Sequence, residues 1–162
     1  MSVEKLKSLL EKSLRKAYEE NNNLLDKKGI EQAMVFQVGR AMSDLLKEDL
    51  EYSNLDLDCE YNKCLDESKM TENFPNGIRP DLILHKRGTH DHNLLAAEFK
   101  GWWNTHDQND IKKLKDLTGR LDNYRYQLGC FVVFGKTLEE TSIRYFEDGD
   151  EVFSEDNQRG AA

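Results

Sequence analysis

Three ionisable residues stand at the ends of two apolar runs. Asp81 opens Asp81-Leu82-Ile83-Leu84-His85, and Glu98 and Lys100 close Leu94-Leu95-Ala96-Ala97-Glu98-Phe99-Lys100. Residues two apart on a strand share a face, so Glu98 and Lys100 point one way and Phe99 the other. Between the runs, Arg87 to Asn93 has the composition of a hairpin loop. A loop centred near residues 90 and 91 puts Asp81 opposite Lys100 and diagonal to Glu98, with cross-strand neighbours about 4.5 to 8 Å apart. A Glu and a Lys among Leu94, Leu95, Ala96, Ala97 and Phe99 cost several kcal/mol if desolvated without partners. A divalent cation compensates them economically, because Mg²⁺ takes one or two carboxylates, keeps several waters and engages substrate phosphates. With the backbone carbonyl of Phe99 completing the set, Asp81 and Glu98 would hold the ion. Metal-assisted phosphodiester hydrolysis needs such a group: the ion polarises a phosphoryl oxygen and acidifies bound water, while Lys100 orients that water or stabilises developing charge. An Asp/Glu/Lys ion-pair network at a sheet edge accounts for the same spacing.

The elements that position these residues follow from periodicity. Val3, Leu6, Leu9, Leu10 and Leu14 recur at helical spacing up to Asn21, predicting an N-terminal helix over 1–20. Ile30, Met34, Val38, Ala41, Met42, Leu45 and Leu46 trace a stripe on a second helix, after Gly29. Leu55, Leu57, Cys59 and Tyr61 alternate with Asp56, Asp58 and Glu60, a half-buried strand, and Asn62 to Gly77 reads as a polar loop. Strands are predicted over 81–86 and 94–100, a third helix over 107–126 with Ile111, Leu114, Leu117 and Leu121 inward, and a strand over 128–134 buried on both sides. Ile143, Tyr145 and Val152 add an edge over 141–153, and the polar residues 154–162 read as a disordered tail. The order is that of an α/β fold in which the last central strand follows a crossover helix.

The chain has 162 residues, a length that predicts one domain over 1–153. No apolar run approaches a membrane span and the first residues lack an apolar signal segment, so the expected location is cytoplasmic, with no membrane partner. Cys59, Cys64 and Cys130 are odd in number and read as reduced thiols. A net charge of −8 opposes nucleic-acid binding at first sight. Residues 138–162, however, hold eight acidic and two basic residues, leaving 21 basic against 23 acidic in the body.

Pro80-Asp81, a gap, and Glu98-Phe99-Lys100 resemble the PD-(D/E)xK signature of the restriction-endonuclease-like nuclease superfamily. The resemblance covers residues 29–135, where the predicted elements match an αβββαβ core with a mixed central sheet flanked by helices. Asp58-Cys59-Glu60-Tyr61-Asn62-Lys63 ahead of Arg79-Pro80-Asp81 is similar to small bacterial and phage members. The resemblance implies that Asp81 and Glu98 bind Mg²⁺, with Mn²⁺ as a substitute, and that Lys100 positions the attacking water. It also implies that Glu31, on the helix before the sheet, supports the ion or that water; a first-turn Glu that only favours the helix dipole reads the same way. The implied activity is a Mg²⁺-dependent nuclease acting on DNA, as a homodimer or within a larger complex. The rival is a non-catalytic interaction or regulatory protein keeping the fold.

Weaker signals surround this core. Arg79, Lys86, Lys112 and Lys113, with Arg87, Lys115, Arg120 and Arg125, could follow a phosphate backbone or simply be solvated. His85 shares the Asp81 face and could touch phosphate or be a hydrogen-bonded structural residue. Of Trp102 and Trp103, one could stack on an unpaired base while the other fills the core. Cys59 and Cys64 with His90 and His92 fit zinc spacing poorly.

Overall fold

The computed structural model describes residues 1–21, 23–49, 52, 54–65, 67–104, 106–120 and 123–153. Helix α1 (Val3–Glu20) starts at Ser2, whose hydroxyl accepts the Lys5 N–H at 3.3 Å, and it ends at Asn21. Gly29 takes φ 81°, a left-handed conformation glycine adopts without a Cβ clash, and lets the chain turn into α2 (Glu31–Lys47). In chain order there follow β1 (Asp56–Cys59), β2 (Lys63–Cys64), β3 (Glu67–Ser68), β4 (Leu82–His85), β5 (Leu95–Gly101), α3 (Gln108–Thr118), β6 (Leu128–Phe134), β7 (Ser142–Glu147) and β8 (Asp150–Val152).

Six strands form one mixed sheet in the order β1-β4-β5-β6-β7-β8, while β2 and β3 pair separately within the expected polar loop. Strands β5 and β6 run parallel, joined by the crossover α3, and every other neighbouring pair is antiparallel. The class is therefore α/β, a mixed six-stranded sheet flanked by helices. The edge hairpin β7–β8 turns at Asp148 (φ 53°) and Gly149 (φ 88°), the pair of positive φ values that matches strand twist in a two-residue turn.

Alternation along the strands builds two apolar layers. On one face Leu6, Leu10 and Leu14 of α1 and Met34, Val38 and Met42 of α2 pack with Leu82, Leu84, Leu95 and Phe99. On the other, Leu114 and Leu117 of α3 pack with Ile83, Ala96 and Phe131. Gly129 permits the close approach of α3 to β6, since a Cβ there would meet Thr118 Cγ2 at 3.0 Å and Phe146 Cβ at 3.1 Å.

Three expectations are corrected. The pairs Leu82↔Ala97 and Ile83↔Ala96 set the hairpin register so that its continuation brings Asp81 beside Glu98 rather than Lys100. The loop turns one residue earlier than its composition suggested. Helix α3 ends at Thr118 instead of running to 126, because Gly119 adopts φ −59° and ψ 143°, outside the helical region. Cys59, expected inward, is exposed at the end of β1. Leu121 and the expected tail 154–162 lie outside the described residues. No helix among the described residues is long and apolar enough to cross a membrane.

Phe134 is fully buried, stacked on Phe99 with centroids 5.2 Å apart and meeting Tyr18 edge-on at 6.5 Å. Phe134→Ala should therefore cost about 3–5 kcal/mol by loss of burial and a residual cavity. Urea denaturation should show a lower midpoint with an unchanged slope.

Candidate active site

Asp81 leads into β4 behind Pro80 and is 8% exposed. Its Oδ2 accepts the backbone N–H of Phe99 at 2.8 Å, tying the carboxylate to β5, and its Oδ1 lies 3.4 Å from Gln32 Nε2 on α2. Burial raises the Asp81 carboxyl from the usual carboxylate range to about 6; the Phe99 N–H opposes this, and the charge of Glu60 adds to it.

Glu98 lies on the α3 side of β5, in phase with Ala96, and is 1% exposed. Its Oε2 accepts from Lys113 Nζ at 3.1 Å, while Oε1 is buried with no hydrogen-bond partner among the described residues. Burial, reinforced by the Asp81 charge, pushes this carboxyl well above its ordinary range despite Lys113.

Lys100 forms an ion pair with neither carboxylate, although its charge reaches Asp81. Its Nζ bonds Asp110 Oδ2 at 2.9 Å, and Asp110 Oδ1 takes Lys113 Nζ at 2.8 Å. Burial alone would disfavour all three charges. The pairing outweighs it, holding Asp110 below and both lysines above their usual ranges. The cluster thus gathers Asp81, Glu98 and Asp110 against Lys100 and Lys113.

Glu31 reaches the end of β5, where Oε2 accepts the Gly101 N–H at 2.7 Å. It caps the strand instead of joining Asp81 and Glu98, although its charge helps hold Lys100 protonated.

The remaining sequence candidates disperse. His85 is buried, with Nε2 2.8 Å from Asp58 Oδ2, and Arg87 holds the same carboxylate. Burial lowers the His85 pKa, although the hydrogen bond with Asp58 opposes this. Lys86 is exposed beyond the opposite end of β4, lining a cavity with Met1, Tyr52 and His92. Arg79 pairs with Glu60 at 3.6 Å, and Lys112 is an exposed residue of α3. Lys113, expected at a phosphate, belongs to the charged cluster. Trp103 packs against the core. Trp102 is half-buried, donates from Nε1 to Leu25 O at 3.2 Å, and has Lys28 and Lys136 over its ring at 5.3 and 4.8 Å.

Gln32 and Asp110 were absent from the sequence candidates. Asp110 carried a legible signal, because it precedes Leu114 and Leu117 by four and seven residues and so lies in phase with the inward stripe of α3. Gln32 carried none beyond its place beside Glu31.

Two observations bear on a divalent ion. Glu98 Oε1 is a buried acceptor lacking a donor, and Asp81 and Glu98 are carboxyls whose ionised forms need added positive charge. Among the described residues, no three His, Cys, Asp or Glu side chains gather closely enough to hold an ion. Two carboxylates are too few for a closed protein cage; Mg²⁺, which takes one or two carboxylates and keeps several waters, is an ion whose needs so few can meet. No protein-family model matches the chain, and no curated protein or solved structure does either.

The raised Asp81 pKa has a sign that urea denaturation can check. Its folded value of about 6 exceeds the ordinary 3.8, so stability is fully present below the ordinary value and falls as pH rises through about 6. Asp81→Asn keeps an acceptor for the Phe99 N–H and removes the titration. It should be more stable than wild type at pH 8, by up to about 3 kcal/mol without added metal, with the gain vanishing below about pH 3.

Proposed function

We propose that the chain is a metal-dependent nuclease of the restriction-endonuclease-like kind, hydrolysing DNA phosphodiesters, with α2, β1, β4, β5, α3 and β6 as its αβββαβ core. The observation that carries this reading is Glu98, buried beside Asp81 with one carboxylate oxygen lacking a donor. Asp81, Glu98 and the Phe99 carbonyl would hold Mg²⁺ or Mn²⁺, which supplies Lewis-acid polarisation of the phosphate and activation of water. Asp81 is kept in place by the Phe99 N–H, so both carboxylates are ordered by one strand. Lys100 and Lys113 add positive charge beside the phosphate that undergoes attack, the electrostatic contribution expected to dominate such a reaction. Gln32 steadies Asp81, and Glu31 fixes the end of β5.

A second reading has its own support. Lys100 pairs with Asp110 and Lys113 with Glu98, an internally compensated network that an interaction protein retaining the fold could keep as structure.

Incubation of purified protein with plasmid, linear and branched DNA in Mn²⁺ distinguishes the two. The nuclease reading expects cleavage that falls at least about 100-fold in Glu98→Ala and Asp81→Ala. It also expects saturating Mn²⁺, at 100 times its dissociation constant, to stabilise wild type by about 2.7 kcal/mol in thermal unfolding. Absence of cleavage together with an unmoved midpoint would leave the interaction reading.

A further inference from the structure

We infer that Lys113 is the resident counter-charge of Glu98, and that it, more than the motif lysine Lys100, sets the affinity of the Asp81/Glu98 pair for a divalent cation. The inference rests on the proposed metal site and assigns a role within it that the sequence motif gives to no residue of α3.

Lys113 Nζ lies 3.1 Å from Glu98 Oε2, whereas Lys100 Nζ is bonded to Asp110 at 2.9 Å. The motif lysine is therefore directed to a different carboxylate. Lys113 is held from a second side by Asp110, three residues before it on the same helix, at 2.8 Å. The helix itself is fixed by Leu114 and Leu117 beneath it and by its close packing at Gly129. The ammonium consequently has little freedom to leave: its helix, its acidic neighbour and its target are all anchored.

Glu98 offers its two oxygens unequally. Oε2 already faces an ammonium, and Oε1 remains without a partner among the described residues. An ion taking Oε1 shares one carboxylate with Lys113, and like charges at that separation repel with little water between them to screen them. Lys113 thereby lowers the affinity for the ion while keeping Glu98 tolerable when no ion is present. It is a positioning residue that acts through Glu98, and Asp110 is what steers it there.

The test uses Mn²⁺ alone as the probe, titrated calorimetrically into the full chain. Lys113→Met should bind Mn²⁺ at least about tenfold more tightly than wild type, and with a larger gain than Lys100→Met. Lys113→Arg, which restores the charge, should return toward the wild-type affinity; Lys113→Gln replaces the Met variant if that one does not fold. Unchanged affinity in the neutral variant, or a larger gain in Lys100→Met, overturns the inference. So does equal tightening in Lys113→Arg, which would trace the effect to packing. If wild type binds no Mn²⁺, the metal site and this inference fall together. If the affinities shift as expected and no DNA is cut, the inference stands and the nuclease reading fails.

Discussion

A carboxyl group that is 1% exposed, in the middle of a sheet, is the constraint around which the neighbouring elements are arranged. Desolvation of an ionised group is too expensive to leave uncompensated, so Glu98 must either remain protonated or be met by positive charge. Helix α3 answers that requirement with Lys113. The answer creates a requirement of its own, since Lys113 is also largely removed from water and needs a second acceptor. Asp110 supplies it and takes Lys100 as well. One buried acid thereby recruits a network spanning β5 and α3, and the crossover helix is tied to the strand it follows by charge as well as by Leu114 and Leu117.

Among the described residues, the pairing within this network remains incomplete at one atom, Glu98 Oε1. A network whose sole task is stability gains from satisfying every buried oxygen, because an unmade hydrogen bond to a charged group forfeits about 1–3 kcal/mol or more. Glu98 Oε1 departs from that rule, next to the Asp81 carboxylate, whose Oδ2 accepts the Phe99 N–H and whose Oδ1 lies 3.4 Å from Gln32 Nε2. Departures of this kind cluster where local stability is given up for ligand binding. This is the physical reason to weigh a cation above a purely structural network, and it does not depend on the short motif.

Much of this was legible in the sequence, and the register shows why. The hairpin is displaced by two residues in its pairing, which moves Asp81 from beside Lys100 to beside Glu98. A displacement of two preserves the face of every side chain, whereas a slip of one would have sent both acids to opposite sides. The strand period therefore protected the co-location of Asp81 and Glu98 even though loop composition misjudged the turn. What periodicity could not supply was the direction of long flexible side chains. Lys100 shares its face with Glu98, but its partner is fixed by a helix arriving eight residues later in the chain. Likewise Glu31 and Gln32 are adjacent, and the packing of α2 sends one to Gly101 and the other toward Asp81.

Charge bookkeeping across the surface bears on how an acidic chain could meet a polyanion. Among the described residues, several cations near the sheet are already committed: Arg79 to Glu60, Arg87 to Asp56 and Asp58, Arg144 to Glu151 and Asp107. Exposed pairs of this kind contribute about 1 kcal/mol or less apiece, and each leaves fewer cations to release counterions from a polyanion. Beyond the end of β5, Lys28 and Lys136 instead lean on the ring of Trp102, two residues after Lys100. Under the nuclease reading, a body close to neutral and a last stretch of 25 residues rich in acids shift the weight of recognition to the few charges at the carboxyl end of β5, to the shape of the substrate, or to a second polypeptide.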